Sequence, residues 1–552
     1  MWLINTTTLK LEFFVNPEKA SYAILSHTWG DEEVMFHELQ SPDKASFQKK
    51  GFDKIARTCE IARQQGLQYA WVDTCSIDKS SSAELSEAIN SMFAWYKNSA
   101  VCLAYLEDLP ASVDFENGLA SCRWVSRGWT LQELIAPQEV EFYDQAWTKR
   151  TTKRASADLL AKATGVQEAV LADSAYLTNL SVAQRMSWVS RRQTTRAEDI
   201  AYCMLGIFDI HIPLVYGEGD KAFKRLQEEI AKQTCDLSLF AWLAPLPEPS
   251  SDPQNFRGIF AKSPAEFSEG YRIVPRNTIV PHKEFTITNR GLQIEATLVR
   301  LMSNYSPNDL VFNLGVSCSD RDKVPGGEGW IGIYVRKSVH GYVRVWSHRL
   351  CMSEQHDRSR CARAMLHIRK TIDENDIETL QKQYLRAIRI QALPANINID
   401  QIQPFDLWDN QKSLFLDPGS GLNAYCQFTV SAGLAGLAFR SERFETFSAI
   451  LACSTMSSPP MIEMWSQQEE GYNRICSFLN RAKEVTDYVC VDYLLRDFLT
   501  IKSGNKSVGI CDFVDMKNGC QVRLQATLSN VTVEGSDGFF VELFKSTVMI
   551  AE

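Results

Sequence analysis

Along the first quarter of the chain the apolar positions switch between two periods. Tyr22 to Gly30 (YAILSHTWG) opens as a continuous apolar run and then turns polar, as a buried strand ending in a loop does. Tyr69 to Asp78 (YAWVDTCSID) repeats that profile, and between the two Phe52 to Gln65 carries Ile55, Cys59 and Ala62 at helical spacing. The order is β-α-β. Ser81 with Glu84 makes a capping-box pattern, and Leu85, Ala88, Ile89, Met92, Phe93 and Tyr96 follow at the spacing of one helix face, so an amphipathic helix is predicted there. Val101 to Leu106 (VCLAYL) reads as a third strand and Val140 to Tyr143 (VEFY) as a fourth. Strands alternating with helices imply a mostly parallel sheet covered on both faces, with ligands bound beyond the carboxyl ends of its strands.

The pattern changes twice further on. Residues 148 to 240 carry helical segments, Ala155 to Ala163, Glu198 to Phe208 and Lys221 to Lys232, expected as an elaboration on a first domain of residues 1–245. Four prolines and two serines between Ala244 and Pro253 mark a linker, placed at 246–256. Period-two or β-branched runs dominate afterwards: Phe285 to Thr288, Leu292 to Val299, Leu310 to Cys318, Trp330 to Arg336, Tyr342 to Trp346, Cys426 to Ser431, Val522 to Val533 and Phe539 to Phe544. Residues 257–552 are therefore expected to be mostly antiparallel β, as one region or two sandwich-like modules (257–400 and 401–552), with one helix from Ile377 to Ile388.

Between the third and fourth strands lies SRGWTLQELIAP, residues 126–137. Trp129 and Glu133 stand one helical turn apart and share a face, while Leu131, Leu134 and Ile135 lie roughly 100° to 200° round from Glu133, so one side is expected to bury and the other to line a cleft. Pro137 ends the helix, because the residue before proline is pushed out of the α region. An indole beside a carboxylate suits a flat cationic ring and positive charge growing on a sugar.

Composition narrows the class. At 552 residues two to four domains are expected, and 45% hydrophobic with 23% charged residues is ordinary globular usage. A net charge of −9 gives no basic surface for nucleic acid. No basic segment leads into an apolar one near the start, and nowhere do about eighteen apolar residues run together, so neither secretion nor a membrane span is expected and the cytoplasm is the expected location. The fifteen cysteines form no C-x-x-C pair, and Cys102, Cys203, Cys453 and Cys490 sit in apolar runs; packed reduced thiols are expected, without a metal site. No G-x-x-x-x-G-K-[ST] occurs.

Five segments together resemble the fungal heterokaryon-incompatibility (HET) domain: YAILSHTWG (22–30), WVDTCSIDKSSSAELSEAINSMFAWY (71–96), RGWTLQELIAP (127–137), RMSWVSRRQTTRAEDIAYCMLGIF (185–208) and LVYGEG (214–219). The resemblance covers residues 1–245 and implies an intracellular trigger of cell death. HET domains are similar to Toll/interleukin-1 receptor (TIR) domains, which implies a flavodoxin-like parallel sheet over 20–145. In enzymatic TIR domains a glutamate on the helix after the third strand cleaves nicotinamide from NAD+, often in a Trp-x-x-x-Glu spacing that Trp129 and Glu133 reproduce. Two departures stand out: Ser26 is followed by His27, Thr28 and Trp29 where the TIR strand is commonly followed by an aromatic and an arginine, and Cys75 is followed by Ser76 where HET domains usually carry two cysteines.

The resemblance thus implies Glu133 as the catalytic residue of a NAD+ glycohydrolase, with NAD+ as substrate, no cofactor and self-association into a homo-oligomer. Loss of nicotinamide passes through an oxocarbenium-like state that one carboxylate can stabilise, and the neutral leaving group needs no general acid. The substrate-binding candidates are Ser26, His27, Trp29, Asp73, Ser76, Arg127 and Trp129. Trp129 or Trp29 can stack on nicotinamide or adenine, although Trp29 equally suits packing under its loop. Asp73 meets a ribose hydroxyl or caps its own loop. Arg127 meets a phosphate or pairs with Glu141 or Asp144. Arg191, Arg192 and Arg196 read as a solvated helix end, with phosphate binding as the other reading. A Cys75 nucleophile with His27 as base is a rival chemistry, and a non-enzymatic signalling module, killing through assembly and partners, is the alternative from another class.

Overall fold

The computed structural model describes residues 1–246 except 43 and 44, residues 256–275 and 284–300, and beyond 310 the strands and adjoining segments named below. Seven strands form the first sheet: β1 (Trp2–Asn5), β2 (Leu11–Phe13), β3 (Tyr22–His27), β4 (Tyr69–Trp71), β5 (Val101–Tyr105), β6 (Val140–Tyr143) and β7 (Lys149–Thr152), in the order β2-β1-β4-β3-β5-β6-β7. Each strand foreseen from an apolar run is present. β3 is parallel to β4 and to β5, and β5 is parallel to β6. The sheet as a whole is mixed, because β1 and β2 on one side and β7 on the other add antiparallel edges. Those edges escape a period-two reading: LEF and KRTT are three and four residues long and rich in charge.

Helix α1 (Lys50–Gln64) covers one face. Its Ile55, Cys59 and Ala62 join Ala23 and Leu25 of β3, Ala70 of β4 and Leu103 of β5 in one buried cluster. Helix α2 (Ser82–Lys97) covers the other, where Trp71 meets Trp95 and Tyr96 edge-on. Two tyrosines stitch α2 to β3: Tyr22 Oη donates to the Trp95 carbonyl at 2.6 Å and Tyr96 Oη to the Leu25 carbonyl at 2.8 Å. Ser81 caps α2 as its pattern predicts, accepting the Glu84 amide at 3.3 Å. Glu84 does not complete the box; its carboxylate takes the Asp78 amide instead.

Beyond the linker two short 3-10 helices, Pro264–Phe267 and Gly270–Arg272, come first, and the described elements that follow are mostly strands. Leu292–Arg300 pairs antiparallel with Phe285–Ile287, Val311–Gly315 and Cys361–Ile368, and Trp330–Ser338 pairs with Cys351–Ser353. Contacts divide the chain into two compact units. The first comprises Met1–Met302, Val311–Val335 and Arg344–Thr371, so it runs past the proline-rich linker. The second, chiefly Ile372–Glu552, holds a six-stranded sheet in which Cys520–Val533 and Ser536–Met549 pair along their whole length, and a four-stranded antiparallel sheet from Ile397–Gln403 to Met461–Ser466. The helix expected from Ile377 to Ile388 largely lies outside the described residues, and Ile388 itself opens a strand. One parallel pairing, Ile388–Gln391 with Ser536–Met549, interrupts the antiparallel pattern. Among the described residues no helix is long and apolar enough to cross a membrane.

Candidate functional site

Two consecutive residues at the carboxyl end of β3 organise the site. Side chains alternate across a strand, so Ser26 and His27 leave the sheet on opposite faces, and each meets a carboxyl group. Ser26 Oγ donates to Glu133 Oε2 at 2.5 Å and accepts Trp124 Nε1 at 2.7 Å. His27 Nε2 lies 3.0 Å from Asp73 Oδ1, and Trp29 Nε1 donates to Asp73 Oδ2 at 2.8 Å. Asp73 follows β4 after Val72 and begins a single helical turn, Asp73–Ser76, where a loop was expected. It does not cap its own loop. The segment after β3 is pinned from below: Lys54 Nζ donates to the Thr28 carbonyl at 3.2 Å and pairs with Glu33 at 2.7 Å, while Glu33 also accepts the Gly30 amide.

Glu133 lies on the short helix α3 (Thr130–Ile135), which stops before Pro137 as foreseen. The expected open cleft at its face is not there. All six residues of α3 are buried and Glu133 keeps only 7% of its surface exposed. The reason is a second layer that the one-sided helical pattern does not reveal. Arg192 Nη1 donates to the Arg127 carbonyl at 2.7 Å and to Thr130 Oγ1 at 3.0 Å, the Gly128 amide donates to the Gln193 carbonyl at 2.9 Å, and the Gln193 amide donates to the Ser126 carbonyl at 2.7 Å. Thr130 Oγ1 in turn donates to the Trp124 carbonyl. A buried chain of hydrogen bonds thus runs from Arg192 through Thr130, Trp124 and Ser26 to Glu133.

The two carboxyl groups are poised in opposite directions. Burial pushes Glu133 up to about 8, with the Asp73 charge adding to it, against contacts from Ser26 and Tyr96 and the charge of Arg127. A neutral Glu133 can donate to Tyr96, whose own proton is committed to the Leu25 carbonyl. For Asp73 burial also works upward, but the contact with His27, the Lys79 charge and the Trp29 N–H outweigh it and hold the carboxylate at about 2. Carboxyl groups of one site pushed apart in this way are the pattern from which acid and base roles are built.

The remaining candidates fall elsewhere. Trp129 bonds the Asp199 carboxylate, and Arg127 Nη1 donates to Thr195 Oγ1 at 2.9 Å. The alternative pairing of Arg127 is absent, since Glu141 takes Lys149 and Asp144 takes Arg150. Ser76 is buried, its Oγ turned back to the Val72 amide. Cys75 is fully buried, burial raises its thiol, and His27 is engaged by Asp73, which rules against the cysteine nucleophile. The arginine cluster is no solvated helix end: Arg191 and Arg196 are exposed, but Arg192 is buried. Arg196 lies over the Tyr216 ring, whose hydroxyl bonds Asp199, and Glu198 accepts the Gly217 and Gly219 amides. The last two of the five sequence motifs are therefore tied to each other and, through Trp129, to the third. A cleft of about 580 Å³ beside Pro213 and Val215 is lined by Arg225 and Glu218, already paired with each other, and contains neither Glu133 nor Asp73.

The heterokaryon incompatibility protein (HET) family matches residues 22–117. This chain carries a HET domain. The matched stretch contains Ser26, His27, Trp29 and Asp73. A domain of unknown function, DUF8212, matches residues 221–316. Over 221 residues the chain is 45% identical to the vegetative incompatibility protein HET-E-1 of Podospora anserina, an alignment covering 38% of this chain and 16% of that protein. The chain thus spans well under two thirds of the curated relative it matches. No solved structure matches the chain.

Four residues of the site are not apparent from sequence. Tyr96 reads as one more core position of α2, and Arg192 as a surface charge. Trp124 precedes the Trp129 motif in CRWVSRGW without a spacing that marks it. Lys79 sits in a polar loop, yet its ammonium is buried without a hydrogen-bond partner and lies 3.8 Å from the centre of the Trp29 ring. Among the described residues no group of three or more His, Cys, Asp or Glu side chains is placed to hold a metal ion.

Proposed function

We propose that this chain is a cytoplasmic effector of incompatibility-type cell death whose HET domain hydrolyses the nicotinamide N-glycosidic bond of NAD+ on self-association. The observation that carries the reading is the placing of two carboxyl groups at the carboxyl end of the central parallel strand, Glu133 on Ser26 and Asp73 on His27 and Trp29. The parallel strands stand in the order β4-β3-β5-β6, which is second-first-third-fourth in order of appearance, as in flavodoxin-like sheets, where ligands sit at the switch point. This supports the TIR-like reading. The relative's name supports the biological role.

The chemistry needs few groups. The bond from ribose C1′ to the pyridinium nitrogen breaks, its electron pair leaves with nicotinamide as a neutral base, and water adds to C1′ and releases a proton to give ADP-ribose. Glu133 as carboxylate stabilises the positive charge at C1′, with Ser26 fixing its orientation. Asp73 accepts a ribose hydroxyl or faces the cationic ring. Because Glu133 is buried, entry of NAD+ requires the segments around Trp29 and Arg127 to part, and assembly with a second copy is the event proposed to part them.

The same burial favours the second reading, a signalling module in which Glu133 is structural and killing is left to partners. Incubation of the purified chain with NAD+ separates the two. Nicotinamide release that rises faster than linearly with protein concentration and is lost in Glu133→Gln is the expected result. Equal turnover by wild type and Glu133→Gln, or none at any concentration, overturns the enzymatic reading.

A further inference from the structure

The Trp29 ring is held like a binding face and is already occupied. Its N–H is fixed on Asp73 at 2.8 Å, its segment is anchored through Thr28 to Lys54, and 39% of its surface remains exposed. Against it lies the Lys79 ammonium, 3.8 Å from the ring centre, buried and with no hydrogen bond among the described residues. An ammonium stripped of water and given no acceptor is held there by the negative face of the indole and by the field of Asp73, the first of the charges acting on it.

We propose that the Trp29 face is a subsite for a flat cationic ring of the pyridinium class, and that Lys79 is its built-in occupant, displaced when the ring binds. This rests on the reading that the HET domain takes NAD+, and names which aromatic receives the positive end. Two like charges cannot share one ring face, so the ring enters only as the Lys79 side chain swings out. Its four rotatable bonds allow this without unfolding the loop. Cleavage of the glycosidic bond turns the ring neutral; it then loses its advantage over the ammonium, and the return of Lys79 clears the product. The same exchange keeps neutral nicotinamide from lodging in the site.

Calorimetric titration of the full chain with 1-methylnicotinamide, a permanent cation that cannot be turned over, and with neutral nicotinamide tests this. Lys79→Met should bind the cation about fivefold or more tightly than wild type, as expected when a desolvated cation–π competitor is removed, while Lys79→Arg stays near wild type. Trp29→Leu should abolish cation binding. Nicotinamide should bind weakly to all. Cation binding that is unchanged, weaker or absent in Lys79→Met, that is equal in Lys79→Met and Lys79→Arg, that survives Trp29→Leu, or that nicotinamide matches, overturns the proposal. NAD+ turnover measured alongside keeps the two readings apart: cation binding without hydrolysis fails only the enzymatic reading, and hydrolysis without the cation preference fails only this one.

Discussion

At Glu133 the fold and the proposed chemistry want opposite protonation states. Burial lifts its carboxyl to about 8, so between its ordinary range and that value the folded chain binds a proton that the unfolded chain has released. Stability is therefore full in acid, falls as pH rises from about 4.5 towards 8, and is flat above, the total loss being on the order of a few kcal/mol. Glu133→Gln should remove that slope and melt above wild type at pH 8.5, while the two converge near pH 5. Thermal melts across pH read this directly; a wild type whose stability does not decline relative to Glu133→Gln over that window means that the carboxyl is solvated. Turnover at low NAD+, which reports the free protein, should run the other way, rising with pH up to about 8 as the carboxylate forms. Asp73 carries the reverse sign: its depressed carboxylate stabilises the fold above about pH 4 and loses that contribution as pH falls towards 2. Asp73→Asn should therefore cost stability at neutral pH, by roughly 1–3 kcal/mol from the weakened bonds to His27 and Trp29.

The short helix α3 is placed less by its own sequence than by the segment that crosses it. A Cβ on Gly128 would stand 2.6 Å from Thr194 Cγ2 and 3.2 Å from Cys203 Sγ, so the absence of a side chain there lets the turn before α3 seat against residues 193–203. Gly128→Ala should destabilise by about 1–3 kcal/mol, the usual cost of overpacking, and should lower NAD+ turnover more than Lys97→Ala, a substitution on the exposed end of α2. A thermal melt paired with the nicotinamide assay checks both; unchanged melting would mean that Thr194 yields freely and that the contact does not position α3. This crossing layer also explains what sequence could not convey. The parallel strands are legible because each is a run of apolar residues covered on two faces, and α1 and α2 because each buries one stripe. The meeting of Ser26 with Glu133 follows from strand-end geometry and is legible in outline. The burial of Glu133 is not, because it depends on Arg192 and Asp199, some sixty residues further along the chain, and a helical wheel shows only which side of a helix can bury, never that both do. Lys79 is illegible for the same reason: a lysine in a serine-rich loop looks solvated until the fold lays Trp29 across it.

For the whole molecule the proline-rich segment is a poor place to cut. Trp242 stands just before it, and both Arg257 and Arg344 stack on its ring, at 4.8 and 3.6 Å. Arg344 is fully buried and donates to the carbonyls of Phe240 and Trp242; Trp242 Nε1 donates to the Ile259 carbonyl at 2.8 Å, and the Leu243 and Ala244 amides to Glu266 and Ser347. The chain before the linker is thus hydrogen-bonded to the chain after it, and the family of unknown function matched at 221–316 spans the same seam. A chain truncated after residue 245 loses these partners at once and exposes a tryptophan that is fully buried in the whole. With about 1–3 kcal/mol for each buried polar group left unpaired, the deficit is comparable to the net stability of an ordinary domain. Truncation after residue 245 is therefore expected to give a protein that melts far below one truncated after residue 371, or that aggregates, whatever its effect on activity. Circular dichroism melts of the two would decide it: equal melting temperatures would show that the seam contributes little and that the HET domain folds without the strands that follow. The same seam predicts that a chain cut at 245 loses NAD+ turnover through unfolding, so that its loss of turnover and its loss of cooperative melting occur together.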